Sequence, residues 1–312
     1  MTSRFQLHEP PPLSGASFDR ADEIRDNVDR LWSRWPNAWL LLIDSQGRYP
    51  VNSDASLRWI EASSIAEHPP IEAIFLGVAG NDRWTLQVGE IAGPVEDPRR
   101  GAHRLGAGDA GLLATALGIL NWHASALHSP RDGSATQPAR GGWVRKHTLT
   151  GQVEFPRIDP AVITLVHDGL DHLLLGRQAT WPVGQYSTLA GFVEPGESLE
   201  QCVIREVREE VGIIVADPQY LGSQPWPFTR SLMLGFEAIG DRSQRLHFTD
   251  GEIGDAAWFH REEIREALNR GEPWIRPDDP PHTNAGLVHS QPRLPGSLSI
   301  ARSMISSWAN DN

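Results

Sequence analysis

Residues 191–213 read GFVEPGESLEQCVIREVREEVGI, and this stretch decides the fold of the region around it. Its Pro-Gly pair predicts a tight loop, Ser198 suits a helix cap, and residues 199–211 follow with helical spacing. One helical face collects the apolar side chains Leu199, Cys202, Val203 and Val207. The stretch therefore predicts a tight turn followed by an amphipathic helix that packs on a core.

Three glutamates, Glu206, Glu209 and Glu210, lie near that apolar face, whereas a surface helix would carry them on the opposite side. Carboxylates at this spacing repel one another, so they either bind protons more tightly or hold a divalent cation. Oxygen ligands without cysteine or histidine favour magnesium or manganese. We interpret the helix as a metal site; the alternative is a solvated helix of Glu and Arg side chains.

The same stretch has a fixed pattern: a glycine, five residues, a glutamate, seven residues, then Arg-Glu-apolar-any-Glu-Glu-any-Gly-apolar. The residues that carry it are Gly191, Glu197, Arg205, Glu206, Val207, Glu209, Glu210, Gly212 and Ile213. This pattern resembles the Nudix box of the Nudix hydrolase family. The resemblance implies an α/β (α+β) protein with a C-terminal α/β/α sandwich around a mixed sheet.

The chain has 312 residues, enough for about two domains. Its one cysteine, Cys202, excludes an internal disulfide and a multi-cysteine zinc site, and its place on the apolar face predicts an inert core residue. A formal charge of −12 argues against an extensive nucleic-acid-binding surface. If RNA is a substrate, we expect only its terminus to be bound, by local cations and metal.

The sequence shows neither an N-terminal apolar signal core nor an apolar run of bilayer length. The 12 tryptophans and scattered Gly and Pro are typical of an ordered globular chain. We therefore expect a cytoplasmic protein with no membrane partner.

Hydrophobic periodicity predicts a small α+β unit followed by a second region with a mixed sheet between helices. With the resemblance, this implies an N-terminal α+β domain over residues 1–123, a linker over 124–156 and a Nudix domain over 157–312. The first region is predicted to begin with an irregular arm, to contain a hairpin over 73–88, and to end in a helix capped by Asp109. The Nudix region is predicted to contain strands and helices at 161–166, 173–175, 187–190, 199–211, 213–215, 231–237, 261–269 and 295–308, with a proline-rich loop before the last helix.

A second motif, SQPWPFTRS, occupies residues 223–231. Its two prolines predict a rigid loop, on which an exposed Gln224 and Trp226 suit reading and stacking on a base; the alternative is a structural turn with a buried tryptophan. The motif resembles the signature of the NADH pyrophosphatases, the NudC-type branch of the Nudix family. That branch usually has a proline where this chain has Thr229, which removes one fixed φ angle from the loop.

Members of this branch also have a zinc ribbon between the two domains, with four cysteines around a Gly-Gly-Trp. This chain has Ser129, Asp132, His147 and Thr150 at those places. Only two of these can ligate zinc, too few for a closed structural site. We therefore predict a degenerate, zinc-free ribbon held by packing around Trp143.

The resemblance also implies residue roles. The divalent ions, Mg²⁺ or Mn²⁺, would be held by Glu206, Glu209, Glu210, Glu252 and the carbonyl of Ala190. Glu209 or Glu210 would also be the base that activates water, and Arg205 would brace the carboxylates. Substrate contacts would come from Phe155, Phe192, Gln224, Pro225, Trp226, Pro227, Phe228, Thr229, Arg230, Ser231 and Ala301. Phe192 would stack on nicotinamide, and Phe155 would come from the neighbouring subunit of a homodimer.

The function implied is metal-dependent hydrolysis of the pyrophosphate bond of NADH, and less readily NAD⁺, to nicotinamide mononucleotide and AMP. Removal of an NAD cap from RNA 5′ ends would break the same bond. Two alternatives stay open: a general Nudix pyrophosphatase for ADP-ribose or dinucleoside polyphosphates, and a nucleotide sensor that binds without cleaving. The complete set of box carboxylates favours an enzyme.

Overall fold

The computed structural model describes residues 5–248, 251–271 and 292–311. These residues form two compact units. The N-terminal unit comprises residues 13–158 and 225–231, and the C-terminal unit comprises residues 5–12, 159–224 and 232–311. In the described part of the chain, no helix is both long and apolar enough to span a membrane. The predicted proline-rich loop lies mostly outside the described residues, and the predicted boundaries at 123 and 156 stay predictions.

The N-terminal unit contains three α-helices, α1 (Val28–Arg34), α2 (Pro98–Gly101) and α3 (Ala107–Ser125). Its strands are β1 (Trp39–Asp44), β2 (Tyr49–Pro50), β3 (Ile60–Glu61), β4 (Ile74–Ala79), β5 (Asn81–Val88), β6 (Val95–Glu96), β7 (Thr136–Ala139), β8 (Val144–His147) and β9 (Val153–Glu154). They form a four-stranded sheet in the order β3-β1-β5-β4, the pair β2-β6 and a three-stranded sheet β7-β8-β9.

The core of the four-stranded sheet is built from large aromatic and aliphatic side chains. Trp35 is fully buried and packs edge-on against Trp84 with ring centroids 5.1 Å apart. The predicted hairpin is confirmed, because β4 and β5 pair antiparallel. The predicted cap Asp109 is wrong: α3 begins at Ala107 after Gly106, and Asp109 lies in its first turn, where a carboxylate favours the helix dipole.

The C-terminal unit contains β10 (Asp159–His167), β11 (His172–Gln178), β12 (Leu189–Phe192), α4 (Leu199–Val211), β13 (Val215–Trp226), β14 (Ser231–Gly240), β15 (Ile253–His260), α5 (Arg261–Arg270) and α6 (Ile300–Asn310). The sheet order is β13-β14-β10-β11-β15, with β12 also paired to β10. One face packs on α4 through Val162, Val166 and Val207, and the other packs on α5 and α6. This is the predicted α/β/α arrangement.

Helix α4 has the bounds that the sequence predicts. Ser198 Oγ accepts the backbone N–H of Gln201, while the Gln201 side chain accepts the N–H of Ser198, which completes a capping box. At the other end, Gly212 adopts a φ of 78°, a left-handed conformation that glycine tolerates best. Local signals at both ends therefore fix the helix that carries the box.

Two elements differ from the sequence prediction. Strand β13 runs for 12 residues, whereas only 213–215 were predicted, because its Asp-Pro step and polar residues suppress the strand pattern. The edge position of β13 tolerates Pro218, which lacks a backbone donor. The last helix starts at Ile300 after the cap Ser299, five residues later than predicted.

Candidate active site

The backbone of strand β12 leaves space for the carboxylate of Glu206, one of the predicted metal ligands. A Cβ atom on Gly191 would lie 1.9 Å from Cδ of Glu206, so only glycine leaves room for this side chain. The neighbouring Ala190 pairs with Ile163 of β10. The Glu206 carboxylate is thus pressed against the strand that also carries the predicted carbonyl ligand.

Arg205 joins the box carboxylates by charge-assisted hydrogen bonds. Its Nη1 donates to Glu206 at 2.9 Å and to Glu209 at 3.0 Å, while Nη2 and Nε donate to Glu197 at 2.6 and 3.0 Å. The pKa of Glu197 falls to about 2, chiefly because of the hydrogen bond from Arg205. The bracing contact expected of Arg205 is present; its catalytic role stays a prediction.

The other carboxylates differ in exposure. Glu210 is 3% exposed and lies at the centre of the buried helix face, whereas the Glu209 side chain is 53% exposed at its edge. Glu252, just before β15, accepts a hydrogen bond of 2.9 Å from Gln178 Nε2. Burial raises the pKa of Glu206, which Arg205 lowers and the charges of Glu209 and Glu252 raise further. Glu209 and Glu252 are thus each within electrostatic reach of Glu206.

Among the described residues, no three His, Cys, Asp or Glu side chains stand close enough together to hold a metal ion as they are placed. The guanidinium of Arg205 forms ion pairs with both Glu206 and Glu209. Nudix hydrolases need divalent cations, and the residues present fit such an ion. The donor set is carboxylate oxygen, which hard divalent cations prefer, and the absent Cβ of Gly191 leaves the space that the Glu206 carboxylate occupies.

A cavity of about 780 Å³ opens along the exposed side of α4. Arg205, Glu209 and His247 are among its lining residues. Its volume lies within the range of small-molecule sites. Of the carboxylates that Arg205 contacts, Glu209 borders this space, which is large enough for part of a nucleotide.

Phe192 at the end of β12 and Cys202 in α4 differ in exposure. Phe192 is 59% exposed, so its ring is available for stacking, while its carbonyl accepts Arg205 Nη2 at 2.9 Å. Cys202 is fully buried below it, and burial raises the pKa of its thiol to about 12. Cys202 is therefore a core residue, as predicted.

The second motif is divided between strand and turn. Ser223 and Gln224 belong to β13, and the turn covers only residues 227–230. The expectation of an exposed Gln224 is wrong: it is 0% exposed, Nε2 donates to the carbonyls of Pro12 and Leu298, and Oε1 accepts the N–H of Ile300. Its amide fixes the start of α6 and is not available to a base.

The rest of the motif, residues 225–231, belongs to the N-terminal unit and comprises the end of β13, the turn over 227–230 and the first residue of β14; we call it the motif loop. Asn121 Nδ2 of α3 donates to the carbonyls of Pro227 at 2.7 Å and Thr229 at 3.0 Å. The rings of Trp226 and Phe228 meet edge to face with centroids 5.0 Å apart. The loop lacks the usual proline but is held from outside by α3.

Two predicted substrate contacts lie in contrasting surroundings. Phe155 follows β9 and is 67% exposed. Ala301 is 1% exposed in α6, and its backbone N–H donates to Ser299 Oγ at 3.2 Å. Phe155 can therefore meet a ligand with its ring, whereas Ala301 presents almost no surface.

The ribbon-like segment contains a hydrogen-bonded cluster. Glu154 Oε1 accepts Ser129 Oγ at 3.0 Å and lies 3.1 Å from His147 Nε2, while His147 Nδ1 lies 3.1 Å from Ser134 Oγ. The pKa of Glu154 is lowered, first by His147 and then by Ser129. Thus both ring nitrogens of His147 have protein partners, and the absence of zinc stays a prediction.

Packing around Trp143 also supports this segment. Its Nε1 donates to the carbonyl of Phe75 at 2.6 Å, and the Arg25 guanidinium lies 3.9 Å from its ring centroid. Arg20 lies 5.3 Å from the same ring. The ring is therefore held by a hydrogen bond and by cation–π contacts, as expected for a residue that anchors the segment.

Sequence reasoning missed three supporting residues. Glu197 matches a fixed box position, but only the structure shows that it holds Arg205. Gln178 holds Glu252, and Asn121 holds the motif loop, across 74 and 106 or more residues. Partners this distant in sequence leave no local pattern. Of the three residues, only Glu197 could have been found from the sequence, because it occupies a fixed box position.

The fold and the box define a hydrolase of the Nudix class: the chain matches the NUDIX domain family over residues 157–277. It is 46% identical over 314 residues to the NAD-capped RNA hydrolase NudC of Mycobacterium bovis (strain BCG / Pasteur 1173P2), covering 98% of this chain and 96% of that protein. The same figures hold for NudC of Mycobacterium tuberculosis (strain ATCC 25618 / H37Rv). The chain belongs to the NudC-type branch of the Nudix hydrolase family.

A human relative, the NAD-capped RNA hydrolase NUDT12, is 40% identical over 173 residues. That match covers 53% of this chain and 37% of the human protein. The likeness to the mycobacterial proteins thus extends over both units, whereas the likeness to the human protein extends over about half of the chain.

Proposed function

We propose that this chain hydrolyses the pyrophosphate bond of NADH and NAD⁺ to nicotinamide mononucleotide and AMP, and removes the NAD cap from RNA by breaking the same bond. The observation that carries the proposal is the complete box, with Arg205 hydrogen-bonded to three of its glutamates. The near full-length likeness to proteins named NAD-capped RNA hydrolases supports the choice of substrate. A sensor that only binds its ligand would not need this many buried or hydrogen-bonded carboxylates.

In the proposed site, Glu206, Glu209, Glu210 and Glu252 would hold Mg²⁺ or Mn²⁺ together with the carbonyl of Ala190. The ions would neutralise charge on the diphosphate and lower the pKa of a bound water. Glu209 or Glu210 takes the proton of the attacking water, and Arg205 keeps the carboxylates in position. The exposed edge position of Glu209 suits proton transfer to solvent afterwards.

For the substrate, we assign nicotinamide stacking to Phe192 and a second aromatic contact to Phe155. Both rings are more than half exposed. Nucleotide contacts are assigned to the motif loop, with Pro225, Trp226, Pro227, Phe228, Thr229, Arg230 and Ser231. Gln224 is assigned an indirect role through the backbone of Leu298 and Ile300, which it holds, and the substrate contact of Ala301 rests on the resemblance.

A homodimer is part of the proposal, because the resemblance assigns Phe155 to the partner's site. The exposed side chains Leu149, Val153 and Ile158 lie near Phe155 in sequence and give this segment an apolar surface. Sedimentation of the purified chain tests this directly, with a single species of twice the chain mass as the expected result. The cytoplasmic location stays a prediction of the sequence.

The test of the activity is a parallel assay of NADH, NAD⁺, ADP-ribose and a short NAD-capped RNA with Mg²⁺ and with Mn²⁺. The proposal expects the highest kcat/KM for NADH or the capped RNA. A clear preference for ADP-ribose would identify a general Nudix pyrophosphatase instead. Tight binding without turnover of any of the four would identify a sensor.

A further inference from the structure

A short basic segment lies outside the residues assigned so far. Residues 99–104 read RRGAHR in a chain whose formal charge is −12, and we call them the basic segment. The side chains of Arg99, Arg100, His103 and Arg104 are exposed. Asp97 caps this turn, because its carboxylate accepts the backbone N–H of Arg99 at 2.8 Å and of Arg100 at 3.1 Å. The cations are therefore presented from a fixed backbone.

The basic segment contacts the motif loop within the same unit. The guanidinium carbon of Arg99 lies 4.8 Å from the centroid of the Phe228 ring. Phe228 in turn packs on Trp226, and the loop adds its own cation, Arg230, with Nη1 3.4 Å from Ser125 Oγ. Arg99, Phe228 and Trp226 are thus in contact one with the next, and an arginine beside aromatic rings is a combination that binds single-stranded nucleic acid.

We propose that the basic segment binds backbone phosphates of the RNA chain that continues from an NAD cap. This inference rests on the proposed function. A free dinucleotide brings two phosphates, and the box and its ions account for both. Each further nucleotide of a capped RNA adds a negative charge that the net charge of this protein repels, so a local group of cations is needed.

The two leading contacts are assigned to Arg99 and Arg100. Arg104, the third arginine of the segment, forms an ion pair with Glu96, with 2.5 Å between Nη2 and the carboxylate. Arg99 also touches the motif loop, so it links the cap-binding loop to the path of the chain. The ligand class is a single-stranded, 5′-capped RNA, recognised through its phosphates and without base readout.

The test compares kcat/KM for an NAD-capped RNA of about ten nucleotides with kcat/KM for NAD⁺ in the full chain and in the double variant Arg99→Ala, Arg100→Ala. The ratio of the RNA value to the NAD⁺ value is expected to fall about tenfold in low salt. The dependence of log kcat/KM on log salt should weaken by about 0.7 for each lost phosphate contact. Arg30→Ala on α1, an exposed arginine of the same unit, is the matched control, and its ratio should stay within twofold.

Arg99→Lys keeps the positive charge but changes the contact with the Phe228 ring. This variant should show the same dependence of log kcat/KM on log salt as the native chain. A ratio within twofold of the native value in the double variant would overturn the inference, even if both substrates are cleaved. Cleavage of NAD⁺ without cleavage of the capped RNA by the native chain would also overturn it and leave dinucleotide hydrolysis standing. Cleavage of neither would remove the proposed function and the inference together. If the double variant does not fold, as judged by its melting curve, Arg100→Glu alone gives the same test.

Discussion

The box helix and the ribbon-like segment are the two regions where the family resemblance implies a metal ion. Their polar side chains are arranged differently. At the box, every glutamate of the motif is present, and Arg205 forms ion pairs with three of them. At the ribbon, Ser129, Asp132, His147 and Thr150 stand where the resemblance expects cysteines. Of these, Ser129 and His147 are hydrogen-bonded to Glu154. One region keeps concentrated charge, and the other makes hydrogen bonds within the protein.

The difference follows from what each region must do. A site that neutralises a diphosphate needs negative ligands that hold divalent cations, and hydrogen bonds cannot replace them. A segment that needs only a fixed shape can obtain it from any set of satisfied polar contacts and packed rings. In the ribbon, the buried His147 and the packed Trp143 supply both. The comparison predicts that changes at the box affect catalysis first and changes at the ribbon affect stability first.

The largest effect is expected for Glu209→Gln. Loss of a metal-binding and proton-accepting carboxylate should lower kcat by about 10² to 10⁴-fold, with an unchanged melting temperature, because Glu209 is largely exposed. Steady-state hydrolysis of NADH and a melting curve measure the two quantities. Glu200→Gln, an exposed glutamate of the same helix, is the control and should retain full turnover. Native-like turnover of Glu209→Gln would exclude this residue from the mechanism.

The second effect is expected for Arg205→Lys. Lysine keeps the charge but cannot reach Glu197, Glu206 and Glu209 at once, so the carboxylates lose their positions. We expect kcat to fall by about 10 to 10²-fold, as for other small displacements of catalytic groups. A change confined to KM would contradict the positioning role and would indicate direct contact with the substrate.

How much of these regions could be predicted from the sequence depends on how far apart in the chain the contacting residues lie. Helix α4, its Ser198 cap and its Gly212 end were predictable because the deciding signals lie within a few residues. Strand β13 was not, because its stability comes from pairing at a sheet edge and not from its own composition. Gln224 was assigned to an exposed loop for the same reason: its three backbone partners are 74 to 212 residues away.

A third prediction tests the ribbon. The His147 side chain is fully buried and is a hydrogen-bond partner of both Glu154 and Ser134. His147→Ala removes this partner and leaves both polar side chains without that hydrogen bond. We expect a loss of about 1–3 kcal/mol in the free energy of unfolding, measured in urea. A chelator should abolish NADH hydrolysis but leave the urea midpoint of the native chain unchanged. A large fall of that midpoint with chelator would show that a metal ion supports the fold.

The smallest expected effect concerns pH. Because Arg205 lowers the pKa of Glu197 from 4.5 to about 2, the folded state binds a proton less readily than the unfolded state. The resulting stabilisation is complete above pH 4.5 and is lost as pH falls towards 2. Glu197→Gln should therefore cost about 1 kcal/mol at pH 7 and progressively less at pH 4 and pH 3. Urea unfolding at the three values checks this, and a constant difference would contradict the assigned cause.

The most direct test of the central claim is to identify the products of NADH treated with this chain and Mg²⁺ or Mn²⁺ in water enriched in heavy oxygen. The account predicts reduced nicotinamide mononucleotide and AMP, with one heavy oxygen atom in a phosphate of one product, detected by mass spectrometry. Release of free nicotinamide with ADP-ribose, or products without heavy oxygen on phosphorus, would show that the box carboxylates do not direct water to the pyrophosphate.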